Sequence, residues 1–189
     1  MQCKKDEIRD KILNTSSRLF IKNGYENTSL QLIADKCYIS KSNIYRYFSS
    51  KEEIYEVLVK DARQIFNDMA DYFPNHGFAG KYTPDKIDEI STIVSKAMCE
   101  HRMAALIMLN SSEGRDRNLL IDRISGHFLE VCPVEDTEIK SIAVKLLVIG
   151  LSDVLLNNSE EEDIRKGLRN LMTYHYMGLD GLLKLVSSS

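Results

Sequence analysis

The stretch from Thr28 to Lys51, T-S-L-Q-L-I-A-D-K-C-Y-I-S-K-S-N-I-Y-R-Y-F-S-S-K, constrains this chain more than any other. It encodes two short helices joined by a tight turn, with a further helix beginning as it ends. Thr28 is an N-cap residue type, and Gln31, three positions on, can complete a capping box. Leu30, Ile33, Ala34 and Cys37 then recur at helical spacing and give the first helix one apolar face. Ile39 plugs the turn and Ser40 caps the next helix. Ile44 and Phe48, four apart, turn that helix back on the first, which leaves Lys41, Ser42, Asn43, Tyr45, Arg46 and Tyr47 to face outward. These are donors, acceptors and one guanidinium. Such side chains meet base edges from a recognition helix, while hydroxyls, lysines and helix N-termini hold phosphates. The following helix starts at Ser50, with Glu53 completing S-x-x-E and Lys51 in its first turn, where a phosphate can lie.

The run I-A-D-K-C-Y-I-S-K-S-N-I-Y-R-Y-F-S-S-K-E-E-I-Y resembles the DNA-binding domain of the TetR family of bacterial transcriptional regulators. The preceding F-I-K-N-G-Y-E-N-T-S is similar to that family's approach to its second helix. Together they cover about the first quarter to third of the chain. The resemblance implies an all-α protein, with an N-terminal three-helix helix-turn-helix DNA-binding domain over residues 1–50. A C-terminal helical ligand-binding and dimerisation domain would occupy 51–189, with 51–72 as the connecting helix. Position by position it places Thr28, Tyr45 and Lys51 on phosphates and Ser29 and Gln31 near the backbone or a base. Lys41, Ser42, Asn43, Arg46 and Tyr47 fall to the groove. One position departs from the pattern: the family usually has glycine in the turn, where Tyr38 stands. A bulky residue at positive φ is costly, so either the turn is tightened differently or Tyr38 bears strain.

Charge supports this division. The net charge of −3 conceals an asymmetry: residues 1–60 hold 11 Lys+Arg against 8 Asp+Glu, a balance of +3, and the remainder hold 14 against 20, a balance of −6. With 43% hydrophobic residues in 189, the chain can bury a substantial core. It has no run of about 18 or more apolar residues, and its start, M-Q-C-K-K-D-E, lacks a following apolar region. The expectation is a cytoplasmic protein with no membrane partner. Cys3, Cys37, Cys99 and Cys132 are scattered without C-x-x-C pairs or histidines at ligand spacing, so free thiols are expected and neither a metal nor a cofactor. His76, His101, His127 and His175 are isolated from any nucleophile motif, and no glycine-rich phosphate loop follows a strand, so no catalytic residue is assigned.

In chain order, the first helix runs from about Lys4 to Lys22 and stops at Asn23-Gly24. From Lys51 to about Tyr72, Ile54, Val57, Leu58, Ala62, Ile65, Phe66 and Met69 keep helical period, making this helix a lever between the domains. Phe73 to Tyr82 is irregular, and Thr83-Pro84 is an N-cap followed by proline at the first helical position. The next helical region is bent near Cys99 to Arg102. Ser111 to Asp116 reads as a connection, and the helix through Leu119 to Val131 stops at Pro133. No strand pattern or repeat competes.

Ile139 to Leu156 is apolar nearly all round and must be buried on more than one side. Asn157-Asn158 stops it, and Ser159 with Glu162 makes a capping box for a last helix reaching about Gly178. The surplus apolar surface of these two helices, near 139–156 and 160–177, has two readings, the domain's own core and, explaining it better, a homodimer on a two-fold double-stranded DNA operator. The resemblance implies the same four-helix joint. It also implies a repressor released by a small-molecule effector. Candidate lining residues are Phe66, Met69, Tyr72, Met98, His101, Met103 and Met108, thioethers and aromatics near a helix break. The alternative is a regulator whose C-terminal domain docks a partner protein.

Overall fold

The computed structural model describes residues 2–75, 83–110, 115–131 and 137–187. Among these, nine helices follow one another: α1 Gln2–Asn23, α2 Leu30–Cys37, α3 Lys41–Ile44, α4 Lys51–Asn75, α5 Pro84–Glu100, α6 Arg102–Asn110, α7 Arg115–Val131, α8 Thr137–Asn157 and α9 Glu161–Ser187. Each boundary has a local cause. Gly24 ends α1 at φ 83, its N–H donating to the Phe20 carbonyl at 3.0 Å. Thr83 caps α5 by accepting from the Lys86 N–H, with Pro84 at the first helical position as its missing N–H favours. His101, at φ −118 and ψ 29, separates α5 from α6 inside the expected bend.

Several boundaries correct the sequence reading. The cap of α2 is Ser29, whose Oγ accepts from the Leu32 N–H at 3.1 Å. Thr28 is fully buried and turns its hydroxyl back to the carbonyls of Gly24 at 2.8 Å and Leu19 at 3.3 Å. Gln31 reaches forward to Asp35 at 2.7 Å and completes no box. Glu53 takes the N–H and hydroxyl of Ser49, each at 2.6 Å, one residue earlier than a strict capping box, while Ser50 Oγ accepts from the Glu53 N–H. Asp116 belongs to the first turn of α7 rather than to a connection. α4 continues to Asn75, and α9 runs past Gly178 to Ser187. The carboxylate of Glu162 is held by Arg165 at 2.6 Å, so it does not close a box with Ser159. Most of the expected irregular stretch, the connection at 111–114 and Pro133 lie outside the described residues.

The helices group into two compact units, Met1–Arg63 with Met103–Arg117, and Gln64–Arg102 with Asn118–Ser189. This grouping differs from the division expected at residue 50, because the first half of α4 and all but the first residue of α6 fall in the first unit. In the first unit α2 packs on α1 and α3. Its core holds Ile12, Phe20, Ile33, Ala34, Cys37, Ile44, Phe48 and Ile54, all essentially without solvent contact. Each buried Ile or Phe side chain contributes about 1.5–3 kcal/mol of transfer free energy. In the second unit α9 packs on α5 and α8. Ile87, Ile90, Met98, Val144, Val148, Leu155, Ile164 and Leu168 are buried there.

Two glycines lie at the α8–α9 crossing. A Cβ on Gly150 would stand 2.5 Å from Leu171 Cδ1, and one on Gly167 would stand 2.8 Å from Val154 Cγ1. The C-terminal end of α8 is closed by Arg102. Its Nε donates to the carbonyls of Leu155 at 3.0 Å and Asn158 at 2.9 Å, and its Nη2 to Leu155 at 2.7 Å. Cys37 is a buried free thiol and Cys99 a half-buried one, whose S–H points to the Ser159 carbonyl at 3.8 Å. Among the described residues no helix is long and apolar enough to cross a membrane.

Candidate nucleic-acid interface

The turn between α2 and α3 is closed by two backbone bonds. The Tyr38 N–H donates to the Asp35 carbonyl at 3.1 Å, and the Ile39 N–H to Ala34 at 3.1 Å. This is the Schellman pattern, and it requires a left-handed residue where Tyr38 sits at φ 57, ψ 39. Of the two possibilities left open by the sequence, the structure selects strain at Tyr38. Its ring is 89% exposed, with the Lys11 ammonium 5.7 Å from the ring centroid.

Ser40 then caps α3, accepting from the Asn43 N–H at 3.2 Å and sharing a 2.9 Å hydroxyl contact with Ser42. Regular helix covers only Lys41–Ile44. Beyond it the chain tightens, with the N–H groups of Arg46 and Tyr47 bonding to the carbonyls three residues back, Asn43 at 3.2 Å and Ile44 at 2.8 Å. The tightening leaves Phe48 buried beside Ile44 on the inner face while Ser49 and Ser50 already cap α4. The outer face carries Lys41, Ser42, Tyr45 and Arg46, all exposed, with Asn43 and Tyr47 half-buried. Ser29 and Gln31 are exposed at the start of α2. Thr28 is the exception among the named residues, since its buried, already donating hydroxyl cannot also hold a phosphate. Between Thr28 and Lys51 four cations face one carboxylate, Asp35.

Lys51 is held more closely than an ordinary surface lysine. Its Nζ donates to the Tyr25 carbonyl at 2.7 Å and lies 4.0 Å from the Tyr25 ring centroid. Burial pulls its pKa down from the ordinary lysine value, while Glu26 and Glu52 pull the other way. Tyr25 is fixed in turn by a 2.6 Å bond from its hydroxyl to Glu52 and by ring contacts with Phe20 at 5.3 Å and Tyr55 at 4.9 Å. Burial first, then the bond to Glu52, pushes the Tyr25 phenol well above its usual range.

Sequence reasoning assigned nothing to Tyr25, Tyr55, Arg63 or Asp116. The Tyr55 hydroxyl donates to Asp116 Oδ2 at 2.8 Å, and Arg63 makes a two-pronged pair with the same carboxylate at 2.7 and 2.8 Å. Glu56 holds the rest of that guanidinium at 2.6 and 3.1 Å. No spacing rule links positions 55 and 116. The available signal was an acidic residue in the first turn of a helix, which is common.

The seven residues considered for an effector do not share one unit. Phe66, Met69, Tyr72, Met98 and His101 lie in the second, Met103 and Met108 in the first. Phe66, Met98 and Met108 are buried, Met69 and His101 half-buried, Tyr72 and Met103 exposed.

A helix-turn-helix bearing hydroxyls, an amide and cations on its outer face, within an all-helical chain, defines the class of DNA-binding regulators. Residues 12–58 match the family described as bacterial regulatory proteins, tetR family. Over 62 residues, 33% of each chain, the sequence is 37% identical to IcaR of Staphylococcus aureus strain Newman, the HTH-type negative transcriptional regulator of the biofilm operon icaADBC. Over 49 residues, 26% of this chain and 17% of the other, it is 45% identical to the HTH-type transcriptional regulator YerO of Bacillus subtilis. The matched stretch thus spans a third or less of these curated relatives. Across nearly the whole chain the fold resembles a TetR-family transcriptional regulator from Bordetella parapertussis, with TM-score 0.56, 19% identity, and coverage of 87% of this chain and 93% of that one. It also resembles the fatty acid degradation regulator FadR from Bacillus halodurans, with TM-score 0.54, 16% identity, and coverage of 91% and 96%. Residues 12–58 thus form a DNA-binding domain of the TetR family, and the rest of the chain shares the helical fold of the solved TetR-family regulators.

Proposed function

We propose that this regulator represses transcription by binding a palindromic operator as a homodimer, and that a small molecule releases it. The observation that carries the dimer is an exposed apolar stripe on α8. Ile142, Leu146, Ile149 and Leu156 are each between 45 and 59% exposed and recur at positions four, three and seven apart, a seam that a second copy covers. Tyr174 and Met177 add exposed apolar surface on α9. Two recognition helices related by a two-fold axis read half-sites about 34 Å apart. Repression follows the likeness to IcaR, described as a negative regulator.

In this reading Lys51 and Tyr45 hold phosphates, Ser29 and Gln31 lie near the backbone or a base, and Lys41, Ser42, Asn43, Arg46 and Tyr47 enter the major groove. An effector would sit in the second unit among Phe66, Met69, Met98 and His101, and a preference of ~2.7 kcal/mol for the released form changes operator occupancy about a hundredfold.

The test is capture of genomic fragments by the purified protein at about 0.15 M salt, followed by footprinting. A protected inverted repeat near a promoter supports the reading, and enrichment no better than for random DNA defeats it. With the operator in hand, Lys51→Ala lowers affinity for all sequences alike and flattens the slope of log K against log salt by about 0.9. Asn43→Ala costs about 1–3 kcal/mol at particular base pairs. A uniform loss for Asn43→Ala across operator variants removes its base-reading role. The same exposed stripe favours one alternative, docking of a different protein on the second unit. A monomer that protects a single half-site would side with that alternative.

A further inference from the structure

A lysine stem has four rotatable bonds, so a surface ammonium ordinarily samples a wide volume. That of Lys51 is confined between the Tyr25 carbonyl at 2.7 Å and the Tyr25 ring at 4.0 Å. Tyr25 itself lies between α1 and α2, outside any helix, where one backbone bond from the Thr28 N–H at 3.2 Å and its side-chain contacts hold it. Besides the hydroxyl bond to Glu52 at 2.6 Å, the closer of its two ring contacts is the edge-on one with Tyr55, at 4.9 Å and 62°. Tyr55 is one turn beyond Lys51 on α4, and its hydroxyl ends on Asp116, which is only 4% exposed. Arg63, two turns further along α4, takes the same carboxylate through two nitrogens. Asp116 therefore fastens α4 at two points eight residues apart. Buried ion pairs are weak stabilisers, and their best-attested use is to fix one arrangement among several.

We propose that Asp116 and Tyr55 are positioning residues for DNA binding: without touching DNA, they set where Lys51 presents its charge by bracing Tyr25. The role rests on the reading in which Lys51 faces a phosphate. Arg63 and Asp116 also stand beside two of the points at which the chain passes from one compact unit to the other, 63/64 and 117/118. Along the covalent chain, a change in the distal parts of α4 or α7 reaches this fastening before it reaches Lys51.

Tyr55→Phe removes one hydroxyl and keeps the ring, and Asp116→Asn keeps the shape of the acceptor. One readout needs no DNA. The Tyr25 ring current shifts the Lys51 ε-methylene NMR signals, identified by their loss in Lys51→Ala. In Tyr55→Phe and Asp116→Asn they are expected to move toward the values of an exposed lysine, in proteins whose thermal unfolding remains cooperative. The second readout is salt-dependent binding to the footprinted operator and to a random duplex of equal length. Lys51→Ala lowers the slope by about 0.9. Tyr55→Phe is expected to weaken binding several-fold and lower the slope by part of that amount, and to add nothing in the Lys51→Ala background. Unchanged Lys51 signals in both conservative variants, or losses that multiply in the double variant, would overturn the proposal. If the signals move but the wild-type chain binds neither duplex, the DNA reading fails and this role with it, while the fastening of Lys51 stands as structure.

Discussion

Tyr38 occupies backbone that L-residues avoid, because a left-handed residue brings Cβ against the following carbonyl at roughly 1–2 kcal/mol. Its ring returns little, being 89% exposed with one cation near the limit of useful range. Tyr38→Gly therefore raises stability by up to about 1 kcal/mol after the extra chain entropy of glycine, and Tyr38→Val lowers it because a β-branched side chain fits this conformation worst. Denaturant melts should rank glycine above tyrosine above valine; equal midpoints would dispose of the strain. His175, half-buried on α9, provides a second residue-scale test. Burial lowers its pKa, so as pH falls through about 6.5 the unfolded chain takes up the proton first. Its contribution is full above that value and is lost as pH falls toward the lower folded pKa. Wild type should lose more stability between pH 7.5 and 5.5 than His175→Gln, and parallel losses would contradict this. At this scale the sequence is only partly legible. Thr28 and Ser29 are both capping residue types, and burial of Thr28, which no local pattern states, decides between them.

The helices themselves were largely legible, since apolar period and capping residues act locally. Thr83-Pro84 opens α5 and His101 breaks it where the pattern faltered. Departures arise where an element answers to its neighbours. α3 tightens after Ile44, and α9 passes through Gly178, which has open space around it and so no contact that ends the helix there. The α8–α9 crossing makes the point quantitatively. Alanine is about 1 kcal/mol better than glycine inside a helix, yet Gly167→Ala puts a methyl 2.8 and 3.2 Å from the two γ-carbons of Val154. Valine in a helix has essentially one rotamer and cannot move aside. Overpacking of about 1–3 kcal/mol outweighs the propensity gain, and Gly167→Ala should lower the thermal midpoint. Gly150→Ala meets only the end of the Leu171 side chain, which can rotate away, and should be near neutral. Equal effects of the two substitutions would mean that the crossing is looser than its geometry.

For the whole molecule, the character of α8 was visible as an apolar surplus, but which residues form its outer seam depends on where α9 packs. The surplus resolves into buried Val144, Val148 and Leu155 on one side and Ile142, Leu146 and Ile149 on the other. Leu146, 59% exposed, is the residue to change, because a charge there leaves the protomer core intact. Under the proposed dimer, Leu146→Glu should sediment at half the mass and bind the full inverted repeat on the order of 10²-fold more weakly, as the second half-site no longer gains from the first. A dimer of unchanged strength would move the interface elsewhere. The grouping of Asp116 with α4 was illegible for the complementary reason: contacts 53 and 61 residues apart carry no periodic signature.

Arg102 leaves one last consequence. Its guanidinium closes carbonyls at the end of α8, and the Cys99 thiol points to the Ser159 carbonyl just beyond. The corner after α5 and the corner between α8 and α9, more than fifty residues apart in sequence, are thus knotted together by side chains. Fraying of either corner has to break bonds to the other. Any motion of this unit must carry both as one joint or first untie Arg102.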